Sequence, residues 1–182
     1  MAVRNLAPGE WAVLALLAER PAHGWALAAE LGPGGELGSV WSLGRPLVYR
    51  SIEILADRGL IEPAGHEPGE RGPNRTIFRA TDAGRAALAQ WLSEPVEHVR
   101  EVRSLLLLKL IVAERAGFDP APMLAAQHET VAAALRSLEA RASASAGSEA
   151  ILLRFRLEST RAVLRFVEGL LARPGSGLQA AV

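Results

Sequence analysis

Residues 43–81, LGRPLVYRSIEILADRGLIEPAGHEPGERGPNRTIFRAT, hold a short helix, a glycine stop and two strand-like segments around an arginine-bearing Gly/Pro loop. In the helix, Val48, Ile52 and Leu55 fall at i, i+4 and i+7 and form one apolar stripe of a 3.6-residue period. Pro46, Arg50, Glu53 and Asp57 occupy the opposite face. Pro46 suits the first helical position, where its missing N–H leaves no bond unmade, and Gly59 suits the left-handed residue just past the end. Leu60 and Ile61 then open an extended run. Thr76 to Thr81 forms a second, with Phe78 and Ala80 facing inward and Arg79 facing solvent. Gly65 to Arg75 between them has the turn formers of a hairpin loop. A helix followed by a basic hairpin is the pattern of a winged helix-turn-helix, a plausible reader of DNA.

Working outward, residues 8–20 read as a helix opened by Pro8, with Glu10 in its first turn. It is apolar almost all round through Trp11, Val13, Leu14, Leu16 and Leu17, so it belongs in an interior or an interface. A second helix spans about Gly24 to Leu31 and ends at the Gly32-Pro33-Gly34-Gly35 break. From there to Arg45 the connection is about 13 residues, far longer than the 3–4 of a compact helix-turn-helix. A winged variant accommodates it, with Ser39 to Trp41 as a short extra strand beside the wing. Thr81 caps a further helix through Trp91 and Leu92, and Asp82 sits near the positive end of its dipole.

Pro95 marks a boundary. Beyond it come three helical segments, about 99–116, 120–142 and 149–172. The last places Leu153, Leu157, Thr160, Leu164, Val167 and Leu171 in one stripe, and Leu152, Phe155, Val163, Phe166 and Leu170 in a second beside it. Two stripes exceed what one intrachain partner covers, so a subunit interface is expected, with Leu153, Leu157, Leu164, Val167 and Leu171 in it. The competing account is an ordinary core face of an isolated helical domain. The fold class is mainly α (α+β). Residues 1–93 form a winged helix-turn-helix domain, 94–173 a helical dimerisation domain and 174–182 a flexible tail.

With 182 residues and 49% hydrophobic content, the chain can bury one good core or two small ones. It has no cysteine, so disulfides, thiolate metal sites and thiol nucleophiles are excluded. No stretch reads as a secretion signal or approaches the ~20 apolar residues of a membrane span, which points to the cytoplasm. Net charge is zero and the pI about 6.9, which argues against a non-specific coat for nucleic acid. Residues 1–85 hold nine arginines against ten carboxylates, so placement decides. Arg71, Arg75 and Arg79 lie in a stretch free of acids, and Arg45 and Arg50 open the 45–57 helix.

An enzyme finds little support. There is no GxxxxGK[ST] loop, GxSxG or HExxH. His66, His98 and His128 lack ligand spacing, and His23 is expected to cap the second helix. No cofactor or metal is expected. The near-neutral first half is the one feature favouring another class, a helical protein–protein adaptor that has lost DNA binding.

The string from Leu14 to Leu27 (LALLAERPAHGWAL), then Val48-Tyr49 with Ile52 and Leu55, Gly59-Leu60-Ile61-Glu62 and Thr81-Asp82-Ala83-Gly84-Arg85, resembles the PadR family of bacterial transcriptional regulators. The resemblance spans roughly residues 6–93. Trp25 stands where the family usually has tyrosine and Arg50 where a small residue or proline is common, so base preference does not carry over. The resemblance implies a homodimeric winged-helix repressor on a partly palindromic operator, released in some branches by an aromatic effector. Arg45, Tyr49 and Arg50 would then lie at the major groove, and Arg71, Asn74 and Arg75 at phosphate or the minor groove. Each has a duller role open to it: Arg50 can pair with Glu53, Tyr49 can pack, and the wing arginines can simply be solvated. Trp11 and Trp91 can line an effector pocket at the dimer interface, or both can be core.

Overall fold

A helix that is apolar on every side is satisfied only in an interior. The computed structural model, which describes residues 6–68, 74–143 and 145–172, places α1 (Pro8–Glu19) there, with Trp11 to Leu17 all buried. Around it lie β1 (Ala22–His23), α2 (Gly24–Glu30), α3 (Glu36–Val40), α4 (Arg45–Asp57), β2 (Ile61–Glu67), β3 (Arg75–Ala80) and α5 (Asp82–Ser93). The three strands form an antiparallel sheet in the order β1-β3-β2. Glu62 faces Arg79 and Glu67 faces Arg75 across the β2–β3 ladder. This is a winged helix, with β2 and β3 as the wing.

Local signals act where they are read. Val48, Ile52 and Leu55 are buried beneath α4. Gly59 takes φ +69°, and its N–H reaches Ala56 O while Leu60 N–H reaches Leu55 O, both at 2.9 Å. That double closure satisfies carbonyls the last turn leaves open. The Thr81 hydroxyl accepts from Gly84 N–H at 3.1 Å and donates to Gly59 O at 2.8 Å, so one side chain caps α5 and ties it to the end of α4.

The third strand corrects an expectation. It is Ala22–His23, not Ser39–Trp41, whose first two residues lie in α3. Leu37 is wholly buried, and Trp41 N–H bonds back to Leu37 O while Leu43 N–H bonds to Leu31 O. The backbone of this segment is thus committed to helical and loop bonds.

Beyond Pro95 the chain makes a tight turn at Val99–Glu101 and a wide helical turn at Val102–Leu106 before α6 (Leu107–Ala116), where one helix from 99 was expected. Two long helices follow, α7 (Ala121–Ala142) and α8 (Gly147–Leu171). Packing does not divide at Pro95. Leu108, Val112 and Ala113 enter the first core, while Val102, Leu106 and Leu110 join Val96, Met123, Leu124 and Val167 in a second.

His128 meets Glu168 and Glu139 meets Arg161, so α7 and α8 run antiparallel as a hairpin. Within a single chain the α8 residues expected at an interface divide into covered and uncovered sets. Leu153 and Val167 are 1% and 0% exposed within a single chain, and Leu157 and Leu164 are half-buried on the same side; Leu171 is exposed. The other uncovered large apolar residues of α8 are Ile151, Leu152, Phe155 and Phe166. The expected tail, 174–182, lies outside the described residues.

Candidate nucleic-acid interface

Because Val48, Ile52 and Leu55 face inward, α4 must turn Arg45, Tyr49 and Arg50 outward, and all three are exposed. Ser51 is buried on the inward side without penalty because its hydroxyl donates to Leu47 O at 2.9 Å. Arg50 makes no ion pair with Glu53 among the described residues, so its guanidinium remains available.

Tyr49 packs against the chain and still faces solvent. It is 46% exposed, yet its ring lies on Gly24 so closely that a Cβ there would stand 2.7 Å from Cε1. Only glycine allows that approach. His23 caps α2, as expected, by accepting from Ala26 N–H at 3.0 Å, which leaves Trp25 in the first turn projecting to solvent at 52% exposure. Over the indole sits the Arg75 guanidinium, 5.7 Å from the ring centroid. A chain of contacts therefore runs from Tyr49 to the buried Gly24, and from its neighbour Trp25 to Arg75, joining α4 to the wing. Asn74 is exposed beside Arg75. Arg79 is spent on Glu62 at 2.7 Å, and Arg71 lies outside the described residues.

The near-neutral composition of this half has a geometric answer. Arg115 at the end of α6 takes Glu19 through two parallel bonds of 2.7 Å, Glu30 at 2.9 Å and Glu36 at 2.8 Å. Three carboxylates from α1, α2 and α3 are thus drawn onto one cation. The bonds to Glu19 and then to Glu30 hold the Arg115 pKa above its ordinary value. Among the described residues, no carboxylate pairs with Arg45, Arg50 or Arg75, so these cations of α4 and the wing keep their charge unneutralised.

Trp11 and Trp91 do come together, but on each other: the rings stack at 4.9 Å and 11°, and both are buried. The Lys109 ammonium lies over Trp91 at 4.7 Å from the centroid. Within the single chain the pair is a packed core contact. Lys109 also donates to Trp91 O and, at 2.7 Å, to Glu94 O, closing the end of α5. Burial pushes its pKa down to about 8, against the opposing pull of the Glu94 charge. Gln127 completes the junction. Its amide exchanges two bonds with the Val96 backbone, 2.6 and 3.0 Å.

Sequence reasoning passed over Trp25, Lys109, Arg115 and Gln127 as functional or joining groups. Lys109 carried a signal, a lone charge inside the run LLLLKLIV. Among the described residues, no group of three His, Cys, Asp or Glu side chains could hold a metal, and no helix is long and apolar enough to cross a membrane.

Residues 13–90, from α1 to α5, match the Transcriptional regulator PadR-like family. A Mycobacterium tuberculosis protein named "Probable transcriptional regulator Rv1176c" is 26% identical over 96 residues, 53% of this chain and 49% of that protein. The match thus spans about half of that relative's length. Among solved structures, Bacillus subtilis PadR in complex with operator DNA is similar with a TM-score of 0.46 at 21% identity, over 90% of this chain and 97% of that one. The same protein in complex with p-coumaric acid gives 0.40 at 21% identity, over 92% and 97%.

Proposed function

We propose, from the premise that residues 13–90 belong to the PadR-like family of transcriptional regulators, that the protein is a sequence-specific DNA-binding repressor. It acts as a homodimer on a two-fold symmetric operator. The observation that carries this reading is the exposed set Arg45, Tyr49 and Arg50 on α4, linked through Gly24 and its neighbour Trp25 to Arg75, whose cations have no carboxylate partner among the described residues. In the proposed docking α4 enters the major groove. Arg50 addresses a guanine edge with its two-pronged guanidinium, and the Tyr49 hydroxyl reaches a phosphate. Asn74 and Arg75, with Arg71, contact phosphate or the adjacent minor groove.

Dimerisation is supported by the face of α8 that α7 leaves uncovered, where Leu152, Phe155 and Phe166 are 47%, 69% and 40% exposed. An exposed apolar row of this kind marks a contact surface, which a second copy would cover. A dimer presents two α4 helices about one DNA turn apart, roughly 34 Å, so the operator should share its two-fold axis. In the same reading a flat aromatic effector releases DNA by parting the Trp11–Trp91 stack and displacing one ring, which disturbs the seat of Lys109 beneath α5.

Selection of sites from a random duplex library at near-physiological salt tests the whole. Recovery of a symmetric motif with half-sites one turn apart is expected. No enrichment by a folded dimer would overturn the reading in favour of a helical adaptor.

A further inference from the structure

Trp25 is placed unlike Trp11 and Trp91. Those two are buried, whereas Trp25 gives half of a large apolar ring to solvent from the first turn of α2. Its neighbours are ordered around it. His23 lies tilted at 6.4 Å and 44°, and the same imidazole reaches Glu67 at 3.5 Å. Glu67 is the residue opposite Arg75 in the β2–β3 ladder. The carboxylate that register offers to Arg75 is therefore engaged by His23, and the Arg75 guanidinium lies over the indole.

The choice of partner matters for a polyanion. An arginine paired with a carboxylate presents a neutral couple and has donors already used, whereas one stacked on a ring keeps its charge and its five N–H groups. Stacking of this kind biases an exposed side chain roughly two- to five-fold toward the held rotamer. Trp25 also stands beside Gly24, on which Tyr49 rests, so the wing cation is referenced to the α4 side chains through two adjacent residues.

We propose that Trp25 is a positioning residue for DNA binding. Its indole holds Arg75 toward the phosphate backbone in fixed register with Tyr49 on α4, an assignment that rests on the DNA-reading function proposed above. Trp25 acts through Arg75 and makes no essential contact of its own.

The test compares the full-length parent with Trp25→Ala, Trp25→Phe, Arg75→Ala and the Trp25→Ala/Arg75→Ala double variant. Each is titrated across salt against a fluorescent duplex carrying the selected motif and against an unrelated duplex of equal length. Trp25→Ala should weaken both duplexes several-fold and lower the log–log salt slope toward the roughly 0.9 lost with one phosphate contact. Trp25→Phe should restore most of the loss, and the double variant should bind no worse than Arg75→Ala alone. Additive losses, or unchanged binding by Trp25→Ala, would overturn the proposal. If the parent binds neither duplex, the DNA-reading function fails, and the positioning claim is decided in the free protein. There the Arg75 side-chain resonances should show ring-current shifts in the parent and in Trp25→Phe that vanish in Trp25→Ala. Identical shifts in all three would refute it.

Discussion

Arg50 and Arg75 should fail differently when replaced. Arg50→Ala is expected to cost ~1–3 kcal/mol at one base position and to relax preference there, while Arg75→Ala weakens every duplex alike and lowers the salt slope by about one. Titration of both variants on matched and mismatched duplexes separates the two. Gly24→Ala should be the most disruptive small change on this surface, because its Cβ would meet Tyr49 Cε1 at 2.7 Å. A destabilisation of about 1–3 kcal/mol is expected from such overpacking, and Tyr49→Ala in the same chain should relieve it. Lys109 gives a pH signature. Its native pKa of about 8 lies below the ordinary 10.5, so between these values the unfolded chain holds more protons than the native one. Stability in urea should therefore rise with pH from about 8 to 10.5, and Lys109→Met should remove that rise. At this scale the outward set Arg45, Tyr49 and Arg50 was legible from the Val48, Ile52, Leu55 stripe. Trp25 was not, because periodicity shows which way one helix faces but not what a neighbouring wing leaves uncovered.

Among elements, α6 binds the two halves of the molecule, and Arg115 is its outer clasp. Its side chain is 21% exposed and holds three carboxylates, between the surface and buried limits for ion pairs. Arg115→Ala should cost about 2 kcal/mol, mostly because Glu19, Glu30 and Glu36 are left to repel one another, and the loss should shrink in high salt. Urea midpoints at low and high salt would show it. The elements themselves were readable wherever a local signal stops or starts them: Gly59 ending α4, Thr81 opening α5, Pro8 opening α1. The third strand was misplaced because a two-residue strand has no period to detect, and its pairing with Phe78 and Ile77 is settled by distant residues. The stripes of α8 met the same limit. Their spacing announced two apolar faces, but only the docking of α7 decides which one the chain covers for itself.

For the molecule as a whole, the two faces of α8 predict opposite outcomes for the same substitution. Phe155→Glu places charge on the uncovered face and should yield a folded monomer in sedimentation, with operator affinity reduced by about 100-fold or more through lost bivalency. Leu153→Glu places the charge in the chain's own core and should unfold the helical hairpin. A dimer surviving Phe155→Glu would exclude this face as the interface. The molecule also carries a consequence in Lys109, which is its one lysine and is 2% exposed. All other basic side chains are arginines or histidines. An acylating reagent that seeks amines therefore finds no side chain to modify until α5 lifts from α6. The rate at which that single position is labelled is a clock for opening of the junction, and its slowing or quickening in the presence of a duplex or a small molecule would time the communication between the two halves without any engineered probe.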